Sequence, residues 1–314
     1  ILRDCLAHAE IVGRLYDVAV EANEGKRQYY WGFSSRYPSS ILHEAVSLLT
    51  FYVKMLRKLR QIADDYAGVF ASEGFRRLFA MLQAELSDEY FALVETHLKN
   101  LRFPQGALVS AALGKGNKGV DYVLRKSEGG EPSWVTRMLG GGPPSYSYTL
   151  HPRDEAGARA LSTLRDRAVN VAAGVAAQSA DHILSFFNLL RAELAFYVGC
   201  LNLHATLAHK GEPACFPDPA PAEERKLTFR GLYDVCLSLS VESSVVGNDA
   251  DADEKSCGII TGANRGGKST FLRSLGLAQL MMQSGMFVAA ESFGANACTG
   301  VFTHYKREED VAMK

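Results

Sequence analysis

The chain has 314 residues, 47% of them hydrophobic and 22% charged, with a formal net charge of −1. This is globular composition and excludes a chain that stays disordered for lack of apolar surface. The balanced charge excludes a whole-chain electrostatic footprint for nucleic acid but leaves room for a local basic patch.

Six cysteines form no CxxC pair, and no His/Cys cluster has zinc spacing. In a chain this large and apolar they read as reduced thiols rather than a disulfide framework. The opening stretch, ILRDCLAHAE, carries Arg3, Asp4 and Glu10 and is not a signal peptide. It also lacks an initiator Met, so Ile1 is not expected to be the natural start. No uncharged run approaches the ~20 residues of a membrane span. The expectation is a soluble, cytoplasmic protein without a membrane partner.

In chain order, Ile1 to Glu24 reads as one helix, with Ile11, Leu15 and Val18 among its apolar positions and Gly25 as its stop. A loop, WGFSSRYPSS, follows. Ser39 or Ser40 caps the next helix, and Pro38 marks the boundary before it. Val46, Leu49, Val53, Leu56, Leu59 and Ile62 recur at steps of three and four, a helical face running to about Tyr66. Phe75, Leu78, Phe79 and Leu82 begin another helix. Ser87 caps a third with Phe91, Val94 and Leu98 inward, and Pro104 ends it. Two β-prone runs flank the turn Gly114–Gly119 and predict a hairpin, Leu108–Leu113 with Val120–Leu124. Glu128 to Pro144 is rich in Gly and Pro and reads as a loop.

The longest signal runs from Pro152 to Lys210. Apolar residues recur along it at helical steps, from Leu161, Leu164 and Ala168 to Leu194, Leu201 and Leu207. As one helix it would span on the order of 80 Å; a break near Gly157 or Gly174 is the alternative. Gly211 fits a C-terminal cap. The stretch GEPACFPDPAPAEERK, with four prolines, reads as a boundary. Beyond it the pattern is α/β. Leu227–Phe229, Val235–Leu239 and Cys257–Thr261 are expected strands, and Thr270–Ser284 a helix. The domains expected are therefore 1–210, helical; 211–226, a linker; and 227–314, α/β.

Gly262-Ala263-Asn264-Arg265-Gly266-Gly267-Lys268-Ser269 fits G-x-x-x-x-G-K-[ST] without a mismatch, between a short β-run and a helix. The chemistry is that of a phosphate cradle. Glycines let backbone N–H groups turn inward, and the helix N-terminus adds its positive dipole end. Lys268 supplies a full charge between the β- and γ-phosphates and is the candidate catalytic residue. Ser269 is the candidate Mg²⁺ ligand, and Thr270 is placed near the α-phosphate. The cofactors expected are ATP and Mg²⁺. The competing explanation is a Gly-rich turn with an incidental Lys-Ser pair.

Around this loop the sequence resembles the MutS family of DNA mismatch repair ATPases. Its usual TGPNMGGKST loop reads TGANRGGKST here. Gly285, Phe287 and Val288 stand in the places of the following helix end and F-V strand. Val301-Phe302-Thr303 matches a later I-F-T segment. Upstream, VVGND from Val245 to Asp249 resembles the segment that holds the adenine, with Asn248 at its asparagine. From Ser40 to Lys210 the likeness rests on order and type of element. The resemblance implies a mainly α-helical core and lever region with a small β-hairpin, followed by the first part of an α/β P-loop ATPase domain of ABC type. It also implies ATP-driven dimer closure, a homodimer in the full-length form, and DNA as partner.

The departures matter as well. No mismatch-reading domain with a Phe-x-Glu wedge is visible in residues 1–40. The segment 101–152 is short for a full DNA clamp. Val245 replaces a stacking aromatic, and Ala263 and Arg265 replace the loop's usual Pro and Met. A hydrolysing P-loop enzyme needs a second acidic strand, and Glu308, Glu309 and Asp310 follow no apolar strand. The chain is thus expected to be a fragment ending before that strand, binding ATP weakly and not hydrolysing it alone. The DNA expected is branched or otherwise not mismatch-specific.

Weaker signals have plain explanations. Lys54, Arg57, Lys58 and Gln61 share one helical face that is either DNA-tracking or simply solvated. Lys115 and Lys118 at the hairpin turn fit a DNA contact or a polar turn. His182 and His204 read as ordinary helix histidines, and Trp31 and Trp134 as packing anchors. Two other functions remain open. One is a nucleotide-gated module that grips protein or RNA, which a salt series of DNA binding separates. The other is a generic ABC-type ATPase with a helical insertion, which predicts no base contact at Asn248.

Overall fold

The computed structural model describes residues 1–29, 37–104, 106–125, 147–263 and 266–304. Trp31, Trp134, the loop 128–144 and the acidic residues Glu308, Glu309 and Asp310 lie outside them. Among the described residues the chain is mainly helical with two small sheets. It divides into two compact units. One holds Ile1 and Glu10–Ala195, the other Leu2–Ala9 and Phe196–Lys314.

The first helical run is broken, against expectation. α1 spans Leu2–Ala7 and α2 spans Ala9–Tyr29. The break separates residues that serve different cores. Leu2 and Cys5 are buried in the second unit, Val12 and Leu15 in the first. Gly25 does not stop α2. It is a site of close approach: a Cβ there would lie 2.2 Å from Phe51 Cε1.

In the first unit α3, Pro38–Tyr66, is the central element. It buries a face from Leu42 to Ala63 against α4, Glu73–Glu85, and α5, Asp88–Leu101. Its start corrects the expected cap. Tyr37 is the N-cap and Pro38 opens the helix, so Ser39 and Ser40 lie within its first turn. The Ser39 N–H instead donates to Asp166 Oδ1 at 3.0 Å. Ser87 does cap α5, accepting from the Tyr90 N–H at 3.2 Å. Phe70, Phe75 and Phe79 form one ring cluster, with centroids of Phe70 and Phe75 4.4 Å apart. β1, Leu108–Leu113, and β2, Gly119–Arg125, make the expected antiparallel hairpin.

The polar face of α3 is largely spent on carboxylates. Arg57 pairs with Glu95 at 2.8 Å and Lys58 with Glu21 at 2.6 Å. Gln61 donates to Asp65 at 2.8 Å. This favours the solvated-face explanation over DNA tracking.

The long helix α6 is continuous from Glu155 to His209, 55 residues, with no break at Gly157 or Gly174. Asp154 opens it by accepting from the Gly157 N–H at 2.9 Å. Gly211, at φ 68°, closes it, and the Glu212 N–H reaches the Leu207 carbonyl at 3.0 Å. By length and composition alone this helix is long and apolar enough to cross a membrane. Its apolar surface is covered only in part: Ala168, Ala173, Ala176 and Ala180 are buried, whereas Val171, Val175 and Leu189 are exposed.

The second unit contains a four-stranded sheet in the order β3-β6-β4-β5. β3 is Asp218–Ala220, within the proline-rich stretch; β4 is Leu227–Leu232; β5 is Asn248–Asp251; β6 is Ser292–Asn296. Only β3 and β6 are parallel. Two expected strands are absent. Val235–Ser240 is a short helix, α7, because Asp234 caps it: Oδ1 accepts from the N–H groups of Cys236 at 2.9 Å and Leu237 at 3.1 Å. Cys257–Thr261 joins no ladder among the described residues, and Ile259 is 86% exposed. A β-prone run without a neighbouring edge leaves its backbone groups to solvent. The helix after it, α8, spans Lys268–Gln283 and packs on the sheet through Phe271 against Phe229, centroids 6.0 Å apart.

Candidate nucleotide site

The described part of the glycine-rich loop, Gly262, Ala263, Gly266 and Gly267, leads directly into α8. Gly267 sits at φ 81°, in the left-handed region, directly before α8. At Gly266 a Cβ would meet the Ala263 carbonyl oxygen at 2.9 Å, so a larger residue would open the turn. The Gly266 N–H donates to that same carbonyl at 3.1 Å. Lys268, the first residue of α8, folds back over the loop. Its ammonium donates to the carbonyls of Gly262 at 2.9 Å and Ala263 at 2.7 Å. Ser269 is exposed and Thr270 partly buried in the same first helical turn. Asn264 and Arg265 lie outside the described residues.

A cavity of about 500 Å³ opens beside this turn. Gly266, Gly267, Lys268 and Thr270 line it, and so do Val245, Val246 and Asn248. The fold thus brings Asn248, twenty residues before Lys268 in sequence, to the same cavity as the loop. The Asn248 amide reaches the Leu232 carbonyl at 3.5 Å, and the neighbouring Asp249 Oδ1 accepts from the Gly231 N–H at 2.7 Å. Gly262, Ala263 and Ser269 are adjoining loop and helix residues rather than lining ones.

Sequence reasoning missed the polar framework behind this cavity. Asp234 lines it, is 1% exposed, and pairs through Oδ2 with Arg273 Nε of α8 at 2.5 Å. An aspartate just before a short apolar run is itself a helix-start signal. Glu212, Ser238 and Ser274 are also buried in this unit. His204 packs edge-on against Phe287, centroids 5.2 Å apart, while His182 is exposed on α6. Among the described residues no group of three or more His, Cys, Asp or Glu side chains has metal-binding placement.

Residues 1–210 match the family described as the MutS2 N-terminal domain, and residues 258–314 match MutS domain V. The chain belongs to the MutS family. It is similar to the DNA mismatch repair protein MutS of Chloroflexus aurantiacus, 29% identical over 154 residues, which is 48% of this chain and 16% of that protein. It is 36% identical over 124 residues to the DNA mismatch repair protein spellchecker 1 of Drosophila melanogaster, 38% of this chain and 12% of the relative. With the MutS of Methanosarcina mazei it shares 31% identity over 122 residues, 38% of this chain and 14% of the relative. The matched stretch of this MutS-family chain therefore spans a minor part of each of these relatives.

Proposed function

We propose that this chain carries the ATP-binding site of a MutS-type DNA-repair protein. One observation supports it above others: Asn248 and Lys268 line one cavity, which therefore offers both a side-chain amide and a loop-held ammonium. That combination of groups suits a nucleotide, whose base takes amide hydrogen bonds and whose phosphates take cations and backbone N–H groups. The loop fits the phosphate chain. A Cβ at Gly266 would displace the Ala263 carbonyl, and the ammonium of Lys268 is held by neutral carbonyls that a phosphate oxygen would outcompete electrostatically.

In this proposal Gly262–Ser269, with Asn264 and Arg265 among them, wrap the phosphates, Lys268 balances the β- and γ-phosphates, and Thr270 lies by the α-phosphate. Ser269 Oγ is the Mg²⁺ ligand, and Asn248 reads the base. The α/β P-loop domain begins at about 227. Bound ATP supplies free energy for closure of a homodimer in the cytoplasm, coupled to DNA through the long helix. The exposed Lys115 and Lys118 at the hairpin turn are the first candidates for DNA backbone contact. Hydrolysis is not expected of this chain. The two carboxylates lining the cavity, Asp234 and Asp249, are already engaged by backbone N–H groups, and Asp234 by Arg273 as well.

The test is titration of the chain with ATP and Mg²⁺ by calorimetry, alongside a phosphate-release assay. Saturable binding without turnover is the expected result. No measurable heat at millimolar ATP would remove the proposal. A salt series of DNA binding checks the partner: backbone contacts give a steep log–log slope, and no binding at low salt removes DNA.

A further inference from the structure

Among the described residues, the buried polar and charged side chains are Glu212, Asp234, Ser238 and Ser274. All four lie in the second unit, between the end of α6 and the loop helix α8. A buried carboxylate is costly unless its oxygens are hydrogen-bonded. The partners of Glu212 are therefore informative.

Glu212 follows the cap of α6, and its own N–H is bound to Leu207 at 3.0 Å, which fixes where its side chain begins. One carboxylate oxygen accepts from the Ser238 hydroxyl in the last turn of α7. The other accepts from the Val245 N–H at 3.2 Å. Lys210, two residues earlier, donates to the carbonyls of Ser238 and Val241, the latter at 2.5 Å. At its opposite end α7 is held by Asp234, which Arg273 ties to α8. α7 is thus fastened to the end of α6 on one side and to the loop helix on the other.

Val245 is where this framework meets the cavity. Residues 242–247 belong to no helix or strand, and the hydrogen bond to Glu212 anchors their backbone at Val245. Val245, Val246 and Asn248 line the same cavity as the loop residues Gly266 and Gly267. We infer that Glu212 is a positioning residue for the base end of the nucleotide site, holding Val245–Asn248 in place from the end of the long helix. The inference rests on the nucleotide reading above and adds a residue that touches neither phosphate nor base.

Binding of ATP and of inorganic tripolyphosphate, each with Mg²⁺, to the 314-residue chain tests it. Tripolyphosphate uses the loop but not the base segment. Glu212→Leu removes both acceptors and should weaken ATP binding roughly ten-fold, the worth of about one hydrogen bond to a charged group, with tripolyphosphate affinity unchanged. Glu212→Gln should restore ATP binding, since its amide oxygen can accept from Val245 and its NH₂ can donate to Ser238 Oγ. Should Glu212→Leu not fold, Ser238→Ala should show a smaller loss in the same sense. Equal weakening of both ligands, or no change in ATP affinity, overturns the role of Glu212. A wild-type chain that binds neither ligand overturns the nucleotide reading itself, and the two failures are told apart.

Discussion

Asp166, in the long helix, accepts a hydrogen bond from the backbone N–H of Ser39 at 3.0 Å, across 127 residues of sequence. Pro38 has no N–H to offer, so the first amide of α3 that needs a partner is that of Ser39, and Asp166 provides it. The carboxylate does for α3 what a local cap would do. Asp166→Ala is expected to lower stability by about 1 kcal/mol, read as a shift in the denaturant midpoint, and Asp166→Asn to recover most of it. An unchanged midpoint in Asp166→Ala would show that the contact is incidental.

Lys268 carries the charge in the proposed cradle. Lys268→Ala should reduce ATP affinity by at least ten-fold while leaving the melting temperature nearly unchanged, because the side chain makes its contacts with the exposed loop carbonyls. Calorimetry and a thermal melt on the same sample check both halves. Retained affinity would assign the loop a structural role only.

Asn248 should matter for the base and not for the phosphates. Asn248→Ala is expected to cost about 1 kcal/mol of ATP binding and nothing for tripolyphosphate. Equal ATP affinity in mutant and wild type would favour a P-loop protein that makes no base contact here.

Asp234 and Arg273 join α7 to α8 with the aspartate side chain fully buried and the arginine about half exposed. Asp234→Ala removes a double backbone cap and leaves Arg273 without this partner, for a loss of about 2–4 kcal/mol. Arg273→Ala strands a buried carboxylate and should also destabilise. A double-mutant cycle is expected to show coupling, and additive losses would argue that the two side chains act independently.

Alkaline pH should weaken the fold. Burial pushes the Cys5 thiol from 9.0 up to about 11 and raises Cys200 and Cys215 for the same reason. Burial, with the nearby Glu212 charge, raises the Tyr233 phenol as well. Below the unfolded values these groups keep their protons in both states. Above them the unfolded chain releases protons that the folded chain retains, so stability falls as pH rises toward the folded values. Urea midpoints measured from pH 8.5 upward should therefore decline, and Cys5→Ala should flatten the part of the decline that begins near pH 9.0. A flat wild-type profile to pH 11 would contradict the burial assigned to Cys5.

What the sequence determined by itself was local chemistry. The three-four spacing of α3, the Ser87 cap, the hairpin, the unbroken proline-free run of α6 and the glycine pattern of the loop each rest on neighbours within a few residues, where propensity and capping decide. The family likeness was legible at the loop for the same reason, since its residues are contiguous. Tertiary structure decided the rest. Gly25 reads as a stop yet serves as a contact for Phe51; Val235–Ser240 has strand composition yet follows Asp234 into a helix; Cys257–Thr261 has a strand's residues but no partner edge among those described. Asn248 and Lys268 share a cavity, and Glu212 reaches Val245, only because the chain returns on itself. Hydrogen bonds between residues distant in sequence leave no periodic trace in it, and the free energy that selects them comes from burying carboxylates that must then find their partners.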